Sequence, residues 1–87
     1  MSNYPVSFTV QAAQDLAEIY DYIAQESEPA ASAVVTRLES FCNQTLAQFP
    51  HSGKPADHLR KGLRTFSVES YLVIYSVPKQ TVTIQRI

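Results

Sequence analysis

The sequence has no tryptophan, two glycines and a single cysteine, Cys42. A lone cysteine excludes an intramolecular disulfide and a multi-thiolate metal site, and it accords with a reducing compartment. Long apolar runs are missing too. The longest, Tyr71 to Tyr75, is far below the ~20 residues of a membrane helix, and the first residues do not place a basic stretch ahead of an apolar one as export signals do. The expectation is a cytoplasmic protein with no membrane partner. Charged residues are sparse at 17%, against 45% hydrophobic, so the 87 residues carry enough apolar surface to fold, and their number matches one small domain spanning 1–87.

The net charge of -1 hides a division. Residues 1–50 carry six acids (Asp15, Glu18, Asp21, Glu26, Glu28, Glu39) against Arg37 alone, whereas residues 51–87 carry six bases (Lys54, Arg60, Lys61, Arg64, Lys79, Arg86) against Asp57 and Glu69. An acidic half followed by a basic half predicts a surface suited to an acidic partner or a polyanion.

Hydrophobic spacing gives the elements. Tyr4–Phe8 alternates and reads as a strand; Thr9 then offers a hydroxyl to cap a helix. From Val10 the period becomes helical, with Ala13, Leu16, Ile19 or Tyr20, and Ile23 on one stripe, and with Gln14, Asp15, Glu18, Asp21 and Gln25 outside it, to about Ser27. Pro29 suits the first turn of a second helix, which runs about 20 residues through Ala31, Val34 or Val35, Leu38, Phe41 or Cys42, Thr45 or Leu46, and Phe49 before Pro50 stops it. The short connection folds the two helices into an antiparallel hairpin. His51–Gly62 reads as a mobile loop, followed by strands at Leu63–Glu69, Tyr71–Val77 and Thr81–Ile87, whose hairpin-length gaps give an antiparallel meander. The fold class is α+β, with a helical hairpin on one face of a small sheet. In the Tyr71–Val77 segment both faces are apolar, since Leu72 and Ile74 oppose Tyr71, Val73, Tyr75 and Val77. The second face must be covered by the first strand and loop or by a partner.

This order of elements, with "AAQDLAEIYDYIAQ" on the first helix, "LAQFPHSGKP" leaving the second, and "LRTFSVESYLVIYSV" and "VTIQRI" on the strands, resembles the ParE branch of the ParE/RelE superfamily of type II toxins, the plasmid-stabilisation toxins. Asp15-Leu16 with Ile19 and Tyr22-Ile23, Pro50 with Gly53, and the Tyr71, Ile74, Tyr75 pattern leading to Ile84 and Arg86 are its most specific pieces. The resemblance implies a toxin restrained by a cognate antitoxin. ParE-like members generally poison DNA gyrase, and RelE-like members cut messenger RNA on the ribosome; the fold serves both. The RelE-like pattern sets an arginine after the tyrosine of the middle strand and further basic and aromatic groups past the last strand. Here Leu72 follows Tyr71 and the sequence stops at Ile87. ParE-like chains usually extend past that strand with a His- and Arg-containing segment, so a naturally short or a shortened chain is expected.

The expected function is therefore gyrase inhibition by protein binding, with no catalytic residue and no cofactor. A ribosome-dependent RNase and an inactive antitoxin-binding relative are the alternatives. Arg60, Lys61, Arg64 and Arg86 are the candidate target-binding cations, and Leu72 and Ile74 the candidate antitoxin-binding residues. Direct nucleic-acid binding is not expected. His51 and His58 lack a third ligand at metal spacing and read as loop histidines; Cys42 lies on a core stripe, which argues against a Cys42–His58 nucleophilic pair.

Overall fold

The computed structural model describes residues 3–87; Met1 and Ser2, which the sequence-based domain includes, lie outside the described residues. The chain runs β1 (Val6–Phe8), α1 (Val10–Ala24), α2 (Glu28–Ser40), a π-helical continuation (Phe41–Leu46), β2 (Lys54–Pro55), β3 (Arg64–Val68), β4 (Tyr71–Ser76), a short turn at Pro78–Gln80, and β5 (Val82–Arg86). The α+β class, the helical hairpin and the meander stand as expected from sequence. The sheet gains a strand, and its order is β1-β5-β4-β3-β2. β1 pairs in parallel with β5, Val6 opposite Val82 and Phe8 opposite Ile84, while β5, β4, β3 and β2 are antiparallel.

The Thr9 cap is as the sequence demands, and Ser27 caps the second helix. The Thr9 hydroxyl accepts from the Ala12 amide at 3.1 Å and donates to the Gln85 carbonyl at 2.9 Å, so one side chain starts α1 and fastens it to β5. Ser27 accepts from the Ala30 amide at 3.2 Å, with Pro29 in the first turn of α2. The core lies between the helices and one sheet face: Ala12, Cys42 and Leu46 meet Val73, Tyr75, Val82 and Ile84, with Phe8, Phe41 and Phe66 packed around them. Leu16, Ala31 and Leu38 are buried as well.

Five local readings need correction. In α1 the buried alanine is Ala12 rather than Ala13, and Asp15, assigned to the outer face, is buried because it pairs with Arg86. Phe49, placed on the stripe of the second helix, is 54% exposed. The π turn is the cause, since its wider winding carries the buried set through Leu38, Cys42 and Leu46 at intervals of four and rotates Phe49 outward. The 51–62 segment is not a featureless loop, because Lys54–Pro55 pairs with Arg64 and Thr65 of β3. And β1 does not wrap the second sheet face, since it lies within the sheet beside β5.

Two ion pairs tie helices to strands. Arg37 of α2 grips Glu69 with Nε and Nη2 at 2.8 and 2.9 Å, holding the β3–β4 turn where Glu69 takes a φ of 55°. Arg86 of β5 grips Asp15 of α1 at 2.8 and 3.0 Å.

Candidate functional site

The segment from Pro50 to Leu63 carries most of the candidate cations, and its shape is fixed by one buried side chain. Tyr75, on the helix side of β4, is fully buried; its hydroxyl donates to the Pro50 carbonyl and accepts from the Gly53 amide, both at 2.9 Å. A Cβ on Gly53 would lie 2.6 Å from that hydroxyl and 2.7 Å from the Thr65 carbonyl, so only glycine fits this close approach. Pro50, Gly53 and Tyr75 of the "PHSG" and strand patterns are thus one structural unit.

Arg64 belongs to the same unit. It pairs with Tyr75 across β3–β4, which puts it on the helix side of the sheet. There its Nη1 donates to the Gly53 carbonyl at 2.7 Å and the His51 carbonyl at 3.2 Å.

Beyond Pro55 the chain closes on itself. The Ala56 amide donates to the Leu63 carbonyl at 2.8 Å, the Leu59 amide to Ala56 at 2.9 Å, the Leu63 amide to Arg60 at 3.1 Å, and the Gly62 amide to the Asp57 carboxylate at 2.8 Å. Gly62 has φ 86°, a value glycine adopts without a Cβ penalty. Ala56 and Leu63 are buried beneath this turn. His58, Leu59, Arg60 and Lys61 are therefore presented outward from a hydrogen-bonded frame, with Leu59 56% exposed.

The candidate cations divide between two sides. Arg60 borders a groove of about 340 Å³ on the outer sheet face, lined also by Leu59, Leu63, Ile74, Gln85, Arg86 and Gln11. Lys61 and Arg60 also border a second hollow, of about 300 Å³, next to Ser76, Val77 and Pro78. Arg64 joins neither, being on the helix side. Arg86 reaches the larger groove with a side chain that stays 58% exposed, although its Nε and Nη2 are on Asp15. That guanidinium, together with the Ile87 amide at 3.0 Å, holds the Asp15 carboxyl below its ordinary value of 3.8.

The two apolar candidates share the outer face of β4. Leu72 is 46% exposed and Ile74 half-buried, Ile74 because the 56–63 turn comes down beside it. The loop thus covers part of the second face and leaves Leu72 open.

The remaining candidates stay apart. Among the described residues, no three His, Cys, Asp or Glu side chains gather as a metal site would require. Cys42 is fully buried in the core, where desolvation pushes its thiol up to about 12, with the nearby Glu39 charge adding to the shift. It faces away from any nucleophilic role, as its stripe position implies. No helix among the described residues is long and apolar enough to cross a membrane.

Leu59, Leu63 and Gln85 were not singled out by sequence reasoning. The legible signal was Leu59 itself, an apolar side chain next to Arg60 and Lys61 in a polar loop; Gln85 carried none.

Comparison with known proteins places this architecture. A family model described as the ParE toxin of the type II toxin-antitoxin system, parDE, matches residues 6–87. Over 57 residues the chain is 44% identical to Toxin ParE3 of Caulobacter vibrioides, a match spanning 66% of this chain and 56% of that protein. Two solved structures share the fold at 23% identity. One is the toxin-antitoxin complex RelBE2 of Mycobacterium tuberculosis, with a TM-score of 0.77 over 97% of this chain and 94% of that one. The other is the chromosomal ParDE system of P. aeruginosa, with a TM-score of 0.69 over 97% and 92%. Because the family match takes in every strand and helix from β1 to β5, the chain belongs to the ParE toxin family of type II toxin-antitoxin systems.

Proposed function

We propose that the chain acts in the cytoplasm by binding DNA gyrase, and that a cognate antitoxin holds it inactive until then. Its own side chains make and break no bond; the effect on gyrase is a binding free energy toward one state of that enzyme. Arg60 and Lys61 are the exposed cations offered to the target, with Arg86 beside them, while Leu72 and Ile74 are offered to the antitoxin.

The observation that carries this reading is the chemistry of the outer sheet face. A nuclease must hold a developing phosphorane and move a proton at one spot, which takes positioned acids and bases. At the position after Tyr71, where RNase relatives carry an arginine, this chain sets the exposed Leu72. Its neighbours across β3 and along β4 are Ser67 and Ile74, which supply neither an acid nor a base for that step. A face of that composition suits binding.

The test is a pair of assays on the purified chain. Gyrase supercoiling should be inhibited, or cleaved DNA trapped, while ribosome-bound messenger RNA stays intact. Cleavage of that RNA at stoichiometric protein overturns the reading in favour of an RNase. Silence in both assays overturns it in favour of an inactive relative.

A further inference from the structure

The sheet has two edges, and the sequence treats them differently. One edge is β2, where Lys54–Pro55 supplies two exposed residues, a charge and a proline that cannot donate. Those are devices that keep an edge from pairing with another strand. The other edge is β1, Val6–Phe8, which contains neither. The first charged side chain in the sequence is Asp15. Pro5 stands just before β1, but its backbone faces β5: the Val82 amide donates to the Pro5 carbonyl at 2.9 Å, and the Thr9 amide to the Ile84 carbonyl at 3.0 Å. Alternation turns the Ser7 backbone toward β5 as well, and it leaves the N–H and C=O groups of Val6 and Phe8 pointing outward. Among the described residues these four groups have no hydrogen-bond partner.

We propose that β1 is a homodimerisation edge, pairing antiparallel with β1 of a second copy of this chain about a two-fold axis at Ser7. In that register each Val6 lies opposite Phe8 of the other copy and the two residues exchange both hydrogen bonds, so the axis generates four. Ser7 faces its own symmetry mate as a non-hydrogen-bonded pair, with Cα atoms about 4.5 Å apart. The side chains agree with this order. Val6 and Phe8 are half-buried and packed on the core, so they meet across the axis as two apolar pairs, while Ser7 is exposed, small and neutral. Exposed apolar groups flank the edge at both ends. Val10, 74% exposed, follows Thr9 at one end; Phe49, 54% exposed, lies two residues beyond Ala47, whose carbonyl accepts from the Tyr4 amide at 2.9 Å at the other.

A second copy suits this edge better than a foreign strand. A foreign strand finds no charged anchor here to select it, because Ser7 is the one polar side chain of β1 and Val6 and Phe8 face the core. A second copy needs none, since the two-fold alone matches each donor to an acceptor and repeats the flanking apolar contacts. Charge does not oppose the pairing: no charged side chain precedes Asp15, and the net charge of the chain is -1. The shortness of β1 sets the strength, a transient dimer rather than an obligate one. The inference stands on the β1 edge and is independent of the gyrase reading.

The test is sedimentation of the full chain across a wide concentration range, with hydrogen exchange read at single amides. A monomer–dimer equilibrium should appear, and exchange at the Val6 and Phe8 amides should slow as concentration rises. Ser7→Lys sets like charges against each other on the axis and should weaken the dimer roughly tenfold or more, with an unchanged thermal midpoint because Ser7 is exposed. Ser7→Glu should do the same, and mixing the two variants should restore a heterodimer. Ser7→Cys should give a crosslinked dimer under a mild oxidant, since the Cα spacing is within disulfide range and Cys42 stays buried. The proposal is overturned by a chain that is monomeric at every concentration, by a dimer that Ser7→Lys leaves intact, by a mixture of the two charged variants that stays monomeric, or by a Ser7→Cys chain that does not crosslink. It is overturned in favour of a foreign strand if an added strand-forming peptide protects the Val6 and Phe8 amides of a chain that never self-associates.

Discussion

Replacing Tyr75 by phenylalanine removes one oxygen atom, and the structure specifies what that atom does. The hydroxyl is the partner of the Gly53 amide and the Pro50 carbonyl, each at 2.9 Å. Gly53 is buried and Tyr75 has no exposed surface, so in the variant the Gly53 N–H has no water within reach. An unsatisfied buried donor costs about 1–3 kcal/mol. Pro50 is only half-buried as a residue, so its carbonyl should recover part of its loss from solvent. A total near ~2 kcal/mol is expected, a large share of the roughly 5–15 kcal/mol that holds a domain folded. For a chain this small the thermal midpoint should fall by about 8–16 °C. Urea unfolding should show a lower midpoint with an unchanged slope, because the surface exposed on unfolding stays the same. Hydrogen exchange at the Gly53 amide should accelerate by more than the global change requires, since the local closure is what is lost. Gly53→Ala should be worse, as its Cβ would meet the Thr65 carbonyl at 2.7 Å, a backbone atom that cannot swing away. If Tyr75→Phe loses less than about 0.5 kcal/mol, the range of an ordinary surface change, the hydroxyl does not fasten the loop. The Pro50–Gly53 stretch would then be held by Arg64 and by the pairing of β2 with β3.

Core and surface truncations should separate: Leu16→Ala should cost about 2–5 kcal/mol by urea unfolding, and Arg60→Ala less than ~0.5; equal losses would make Arg60 structural. Asp15 has a lowered pKa in the fold, so the stability it contributes is present above its ordinary value of 3.8 and disappears as the pH falls through the lower folded value. Asp15→Asn should therefore flatten the acid limb of stability below about pH 4, and an unchanged limb would mean that the Arg86 contact is not formed in solution. The Cys42 thiol, buried and pushed up to about 12, should stay inert to a disulfide reagent in the native state and react on unfolding. Labelling of the native chain at the unfolded rate would contradict that burial.

The fold was legible where local chemistry and long-range packing agree. Thr9 and Ser27 are capping residues by type and caps in the structure. Tyr71 to Ser76 alternates in burial because one face meets the helices. The failures share a cause, which is interaction between segments distant in sequence. Asp15 looks like a surface carboxylate in α1 because its partner Arg86 is 71 residues away. Lys54–Pro55 is too short to show an alternation, and exists as a strand because Thr65 and Arg64 are beside it. The π turn leaves no mark on composition; its trace is the interval of four between Leu38, Cys42 and Leu46, which a helical period of 3.6 also tolerates over two turns.

The site follows the same logic one level up. Charge counting finds the basic half correctly, but a count has no direction. Alternation alone sends Leu63 and Arg64 to opposite faces, so a basic cluster contiguous in sequence is split by the sheet. Arg64 then meets Tyr75's side, where two loop carbonyls already point inward, and becomes part of the clamp. Arg60, three residues before Leu63 in a closed turn, stays outside with Leu59 and Ile74. Basic and apolar candidates that sequence assigned to different partners thereby come to line one groove. An antitoxin segment covering Ile74 would also cover Arg60, and substitutions at Arg60 can affect antitoxin and target together. A toxicity screen alone therefore cannot separate the two roles; a direct binding measurement with each partner can.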